Sequence, residues 1–152
     1  MLKKCLSVFL LLALVGCATV SIPKYIRNEN PYKKKFYASF EKVLPATIRT
    51  LEDAGWTIEE RADPEVYEMR VGEEVHQGKE ILLITAIRKL PVFVASQYAR
   101  LNVYVTAGVE DTTEVEVRYI TIKSVTFKSF YNYSHDKKVQ RLFERIEENI
   151  EQ

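Results

Sequence analysis

The chain has 152 residues, 47% of them hydrophobic and 11% aromatic, and its 22 basic side chains face 21 acidic ones for a formal net charge of +1. That length supports one compact domain and hardly two. Nucleic-acid binding calls for a basic face or stripe, and none shows in the sequence beyond the short run Lys33, Lys34, Lys35.

Residues 1–16 have the layout of a secretory signal peptide. Lys3 and Lys4 form a positive start, Leu6 to Val15 an apolar run, and Gly16 leaves a small side chain before Cys17. A membrane-crossing helix needs roughly 20 apolar residues, far more than this run supplies, so no transmembrane anchor is expected. The alternatives are an ordinary cleaved signal, or a buried N-terminal helix with an incidental cysteine. The order Leu14-Val15-Gly16-Cys17 resembles the lipobox of bacterial lipoproteins. That resemblance implies a diacylglycerol on the Cys17 sulfur and an acyl chain on its new α-amino group, with no other cofactor. Ala18 and Thr19 stand where an aspartate commonly retains such proteins in an inner membrane. In a two-membrane cell the implied address is the outer membrane, with the domain facing the periplasm; otherwise the domain faces outward. Cys5 would leave with the signal, so no thiol remains for a disulfide or a thiolate metal site.

From Ala18 to Pro31 no period is sustained, and Pro23 and Pro31 disfavour helix. Residues 17–31 are therefore expected to be the lipidated cysteine and a tether, and residues 32–152 a single domain. Apolar residues recur at Phe36, Phe40, Val43, Leu44, Ile48 and Leu51, steps that predict an amphipathic helix over residues 34–54. Gly55 supplies a stop. Pro45 predicts a kink, or a regular helix that starts near it. Residues 56–60 alternate as a strand does, Asp63-Pro64 marks a turn, and residues 65–71 alternate weakly as a second short strand. Residues 72–79 make a polar connection.

Residues 81–87 are apolar on both faces and read as a central strand, with Pro91 in the loop beyond. Residues 98–107 alternate clearly: Ala99, Leu101, Val103 and Val105 face one way, and Tyr98, Arg100, Asn102, Tyr104 and Thr106 the other. Residues 108–112 turn the chain, and residues 114–122 pair back with Val115, Val117 and Tyr119 on the first face. Val139, Leu142, Phe143, Ile146 and Ile150 predict a C-terminal helix, with Ser134 as N-cap and Asp136 in the first turn. The fold class is then α+β: an antiparallel four- to five-stranded sheet with an N-terminal and a C-terminal helix packed on one face. The stretch from Val43 to Trp56, through Pro45-Ala46, Leu51 and Gly55-Trp56, looks like the helix-then-strand opening of small helix-grip or TBP-like domains. In this the mature chain resembles BamC-type lipoproteins and related lipoprotein families of unknown function.

No GxSxG, P-loop or dinucleotide fingerprint occurs. Glu73, Glu74 and His76 cluster in a polar turn where charge is the default, and no further ligands stand at metal-site spacing, so no metal is expected. Glu59 and Glu60 should point to opposite faces of a strand and form no acid/base couple. Ser129 and Ser134 have no base in a motif, and His135 reads as a solvated or capping residue. Lys33, Lys34 and Lys35 either touch anionic head groups or end a solvated tether. The sheet's second face, with Tyr98, Tyr104, Ile120 and Ile122, is either a partner-binding surface or covered by residues 89–97 or 127–133. The expected function is a membrane-anchored envelope lipoprotein, not an enzyme, acting as a protein-binding or structural accessory of an envelope assembly. Its expected partners are the membrane and an envelope protein, and not nucleic acid. A lipid or small apolar ligand module comes second, and an unrecognised envelope hydrolase third.

Overall fold

The computed structural model of the protein describes residues 22–68, 79–91, 96–125 and 128–152. In chain order its elements are β1 (Tyr32–Phe36), α1 (Phe40–Asp53), β2 (Ile58–Ala62), a 3-10 turn (Pro64–Val66), β3 (Glu80–Thr85), β4 (Arg88–Leu90), β5 (Ser96–Ala107), β6 (Thr113–Val125), β7 (Lys128–Asn132) and α2 (Asp136–Glu151). The strands form one seven-stranded sheet in the order β1-β6-β5-β3-β2, with β4 beside β5 and β7 beside β6. Every pairing is antiparallel.

β5 and β6 are the spine, in register from Ser96↔Ser124 to Ala107↔Thr113. Side chains alternate along a strand, so Leu101, Val103, Val105, Val115, Val117 and Tyr119 share one face. There they meet Val43 and Leu51 of α1 and Val139, Phe143 and Ile146 of α2 in the main core. The α+β class, the antiparallel sheet and the two helices agree with the sequence reading. The sheet has seven strands rather than four or five, and the first helix is preceded by a strand.

That strand, β1, takes up residues expected in the helix. Lys33 lies opposite Glu116 and Lys35 opposite Glu114 on β6, so the lysine run is matched across the ladder and held extended. α1 consequently begins at Phe40 and continues through Pro45. Thr47 and Thr50 are buried on its inner side and donate to the carbonyls of Val43 and Ala46 at 2.8 Å. Asn149 of α2 donates to the Thr50 hydroxyl at 2.8 Å and ties the helices together.

Gly55 ends α1 as expected, with φ of 77°. Its N–H reaches the Glu52 carbonyl at 2.8 Å and that of Trp56 reaches Leu51 at 2.9 Å, the paired bonds of a Schellman stop. The weak alternation after Asp63 begins as a 3-10 turn, because Pro64 has no N–H and Asp63 caps Glu65 at 3.0 Å. His135, not Ser134, is the N-cap residue of α2; its backbone N–H is held by the Tyr32 hydroxyl at 2.6 Å. β4 and β7 are too short to announce themselves by period.

Candidate functional site

Alternation sends Tyr98, Arg100, Asn102 and Tyr104 of β5, and Glu116, Arg118, Ile120 and Ile122 of β6, to the face away from the helices. This face is not free. Residues 22–26 lie on it as a strap, and Ile22 and Ile26 form an apolar cluster with Ile120, Ile122 and Tyr98. Tyr104, Ile120 and Ile122 are 0–1% exposed, and Tyr98 is half-buried. The surface expected to bind a partner is thus occupied by the segment expected to be tether.

The strap stays down because the sheet offers polar groups for its irregular backbone, which would otherwise be buried unsatisfied. Ile26 N–H donates to Asn102 Oδ1 at 2.6 Å, and Asn102 Nδ2 donates to the Lys24 carbonyl at 3.2 Å. Arg100 Nη1 donates to the Pro23 carbonyl at 3.1 Å and Arg118 Nη1 to that of Ile26 at 3.3 Å. Arg118 is the hub. Its Nε bonds Glu116 at 2.7 Å, its Nη2 pairs with Glu68 at 2.9 Å, and its Cζ lies 4.7 Å from the Tyr104 ring centre. Tyr25 of the strap accepts from Arg118 and, at 2.8 Å, from Tyr104, and it donates to Glu68.

Burial disfavours the Arg118 charge, but the charge and hydrogen bond of the adjacent Glu116 carboxylate, together with Tyr104 and Tyr25, outweigh it and hold the guanidinium above its ordinary pKa. Burial, with the Tyr25 hydrogen bond, pushes Tyr104 far above the usual tyrosine range. The cluster therefore acts as a latch of fixed charge. Glu59 and Glu60 belong to it as well. A bulge between Ile58 and Glu60 breaks the alternation of β2, and both carboxylates serve the strap side: Glu59 pairs with Arg100 at 3.0 Å and Glu60 with Lys24. The expectation that they point to opposite faces is corrected by that extra residue.

On the helix face, a cleft of about 290 Å³ opens between α2, β4 and the sheet. Trp56, Leu90, Leu101, Tyr119 and Leu142 make it apolar, and Arg88, Lys138, Arg141 and Arg145 rim it with positive charge. Arg88 lies 5.5 Å from the Trp56 ring centre and donates to the Ala54 carbonyl at 2.8 Å. A Cβ on Gly55 would come within 3.3 Å of that guanidinium, so the glycine both ends α1 and leaves room for the cation. His135 stacks on Tyr119 with ring centres 4.1 Å apart, and burial lowers its pKa. It is packed rather than merely solvated.

Cys17, Glu73, Glu74 and His76 lie outside the described residues. Among the described residues no group of three or more acidic, His or Cys side chains is placed to hold a metal, and no helix is long and apolar enough to cross a membrane. Lys33 is engaged by Glu114 and Glu116 at 3.5 Å, and Lys34 by Glu147 at 2.8 Å. Sequence reasoning missed Tyr25, Asn102 and Arg118. Their signal was the alternation itself, which places Arg100, Asn102, Glu116 and Arg118 in mid-strand on the face shared with Tyr104 and Ile120. No protein-family model matches the chain, and no curated protein matches it.

Proposed function

We propose that the protein is an envelope lipoprotein, held to a membrane by acyl chains on Cys17, whose domain is a non-catalytic protein-binding or structural part of an envelope assembly. The observation that carries this reading is the strap. Only Ala18, Thr19, Val20 and Ser21 separate Cys17 from Ile22, a path of roughly 17 Å at full extension. An anchor followed so closely by a latched segment would hold the whole sheet beside the bilayer instead of letting it range on a long tether. The charges of the second face are committed to that latch, which supports a binding role over a catalytic one. The lipobox resemblance and the helix-then-strand likeness to BamC-type lipoproteins point the same way, and Ala18-Thr19 favours an outer membrane where there are two. The test is the mass of the N-terminal peptide from membrane-extracted protein. A Cys17 start carrying diacylglycerol and acyl mass is expected, with Cys17→Ser releasing the domain from membranes. An intact initiator methionine would overturn the reading. Crosslinking in the native membrane should then capture an envelope protein.

A second reading rests on the cleft. Aromatic walls under four cations suit a small amphipathic anion, such as a fatty acid, better than a neutral ligand. Titration with a brominated fatty acid should quench Trp56, and Arg88→Gln should weaken that quenching. No quenching at saturating ligand would dispose of it.

A further inference from the structure

The two ends of the sheet differ in charge and in what they expose. At one end, the turn after β5 carries the exposed Glu110 and Asp111. The other end is basic and aromatic. There β7 is an outer strand that pairs with the last residues of β6, Ile122↔Tyr131 and Lys123↔Phe130. Phe130, Tyr131 and Tyr133 are 50%, 53% and 40% exposed. Lys128 sits 5.2 Å from the Phe130 ring centre. Lys123 and Lys128 are exposed and take part in no ion pair among the described residues.

The strap leads to this same end. Going back along the chain, Ile26 meets Asn102, Pro23 meets Arg100, and Ile22 joins the Ile122 and Tyr98 cluster. Ile122 is the register partner of Tyr131. The chain therefore leaves the described structure beside β7, with Cys17 five residues further on. Those residues span at most about 17 Å.

We propose that the β7 end is the membrane-facing surface of the domain, and that it docks on the anionic phospholipid surface into which Cys17 is anchored. Phe130, Tyr131 and Tyr133 enter the head-group layer, where amphipathic rings partition, while Lys123 and Lys128 meet the phosphates. The direction of docking rests on the lipoprotein reading, because the anchor chooses which end is brought near the bilayer. The acidic turn at the far end is then turned away from the lipid. The run Lys33, Lys34, Lys35 plays no part: it lies toward the acidic end, on the part of β6 that begins at Thr113.

The test uses the full lipoprotein, purified from membranes and reconstituted in vesicles of phosphatidylcholine and phosphatidylglycerol, with brominated or ordinary acyl chains. Tyr131→Trp and Val109→Trp place a reporter at each end, against the buried Trp56 of the parent. Expected is bromine quenching of the Tyr131→Trp signal and none at Val109→Trp. Lys128→Glu should shift the docked-to-free ratio at least about fivefold, since each lysine close to an anionic leaflet contributes roughly that factor. Equal quenching at both positions, or none at either, would overturn the docking surface. The mass of the Cys17 peptide, read from the same sample, separates the two ideas. A lipidated Cys17 without end-specific quenching sinks the surface alone. An unmodified Cys17 with end-specific quenching sinks the lipoprotein reading and leaves the surface standing.

Discussion

The two faces of the sheet are closed by different physics. The helix face is covered by α1 and α2 through apolar side chains, and many interchangeable contacts share the work. The second face is covered by a few residues without regular structure, held by Arg100, Asn102, Arg118 and Tyr104. Hydrophobic burial is non-directional and tolerates repacking. A buried ion network is specific to one arrangement and fails abruptly when a member is lost. The first face builds the domain; the second fixes where its N-terminal segment goes.

Substitutions on each side should separate those roles. Arg118→Leu removes the cation between Glu116 and Glu68, and losing one partner of a buried pair costs about 3–5 kcal/mol. Urea unfolding should record that loss, and limited proteolysis should show cleavage within residues 22–31 while the sheet persists. If the strap stayed protected, the network would not be its latch. Ile146→Ala, on the helix face, should cost about 2–4 kcal/mol through the cavity it leaves. Here the strap should remain as protected as in the parent, and early cleavage of residues 22–31 would erase the contrast between the faces. Asn102→Ala deletes the acceptor of the Ile26 N–H, a loss of about 1–3 kcal/mol for a buried group left unsatisfied. Its effect should appear mostly as faster exchange in the strap.

The smallest effect is that of pH. Burial lowers the His135 pKa, whereas in the unfolded chain a histidine titrates near pH 6.5. Between that value and the lower folded pKa the unfolded state binds more protons, so stability falls as the solution is acidified through this window. His135→Gln should remove that part of the slope in urea midpoints. An unchanged slope would place the titration elsewhere.

What could be read from the sequence was whatever repeats. The long alternation of β5 and β6 and the 3.6-residue period of α2 survive as written, and so does the stop at Gly55. β1 escaped because three successive lysines look like a solvated run until Glu114 and Glu116 are known to lie opposite. The bulge in β2 erased the simple parity of Glu59 and Glu60. The strap was invisible because its fit is tertiary: Ile22, Tyr25 and Ile26 have no period of their own, and the β5 and β6 groups that hold them lie more than seventy residues away. The same gap hid the basic cleft, whose walls come from four separate elements.

Everything specific to the second face depends on residues 22–26 lying on the sheet in solution. Residue-resolved hydrogen exchange of the native protein tests this directly at the Ile26 amide. The account predicts exchange slowed to the level of the neighbouring β5 and β6 amides. Exchange at the rate of a free peptide would contradict it, and would return Tyr104, Ile120 and Ile122 to the solvent.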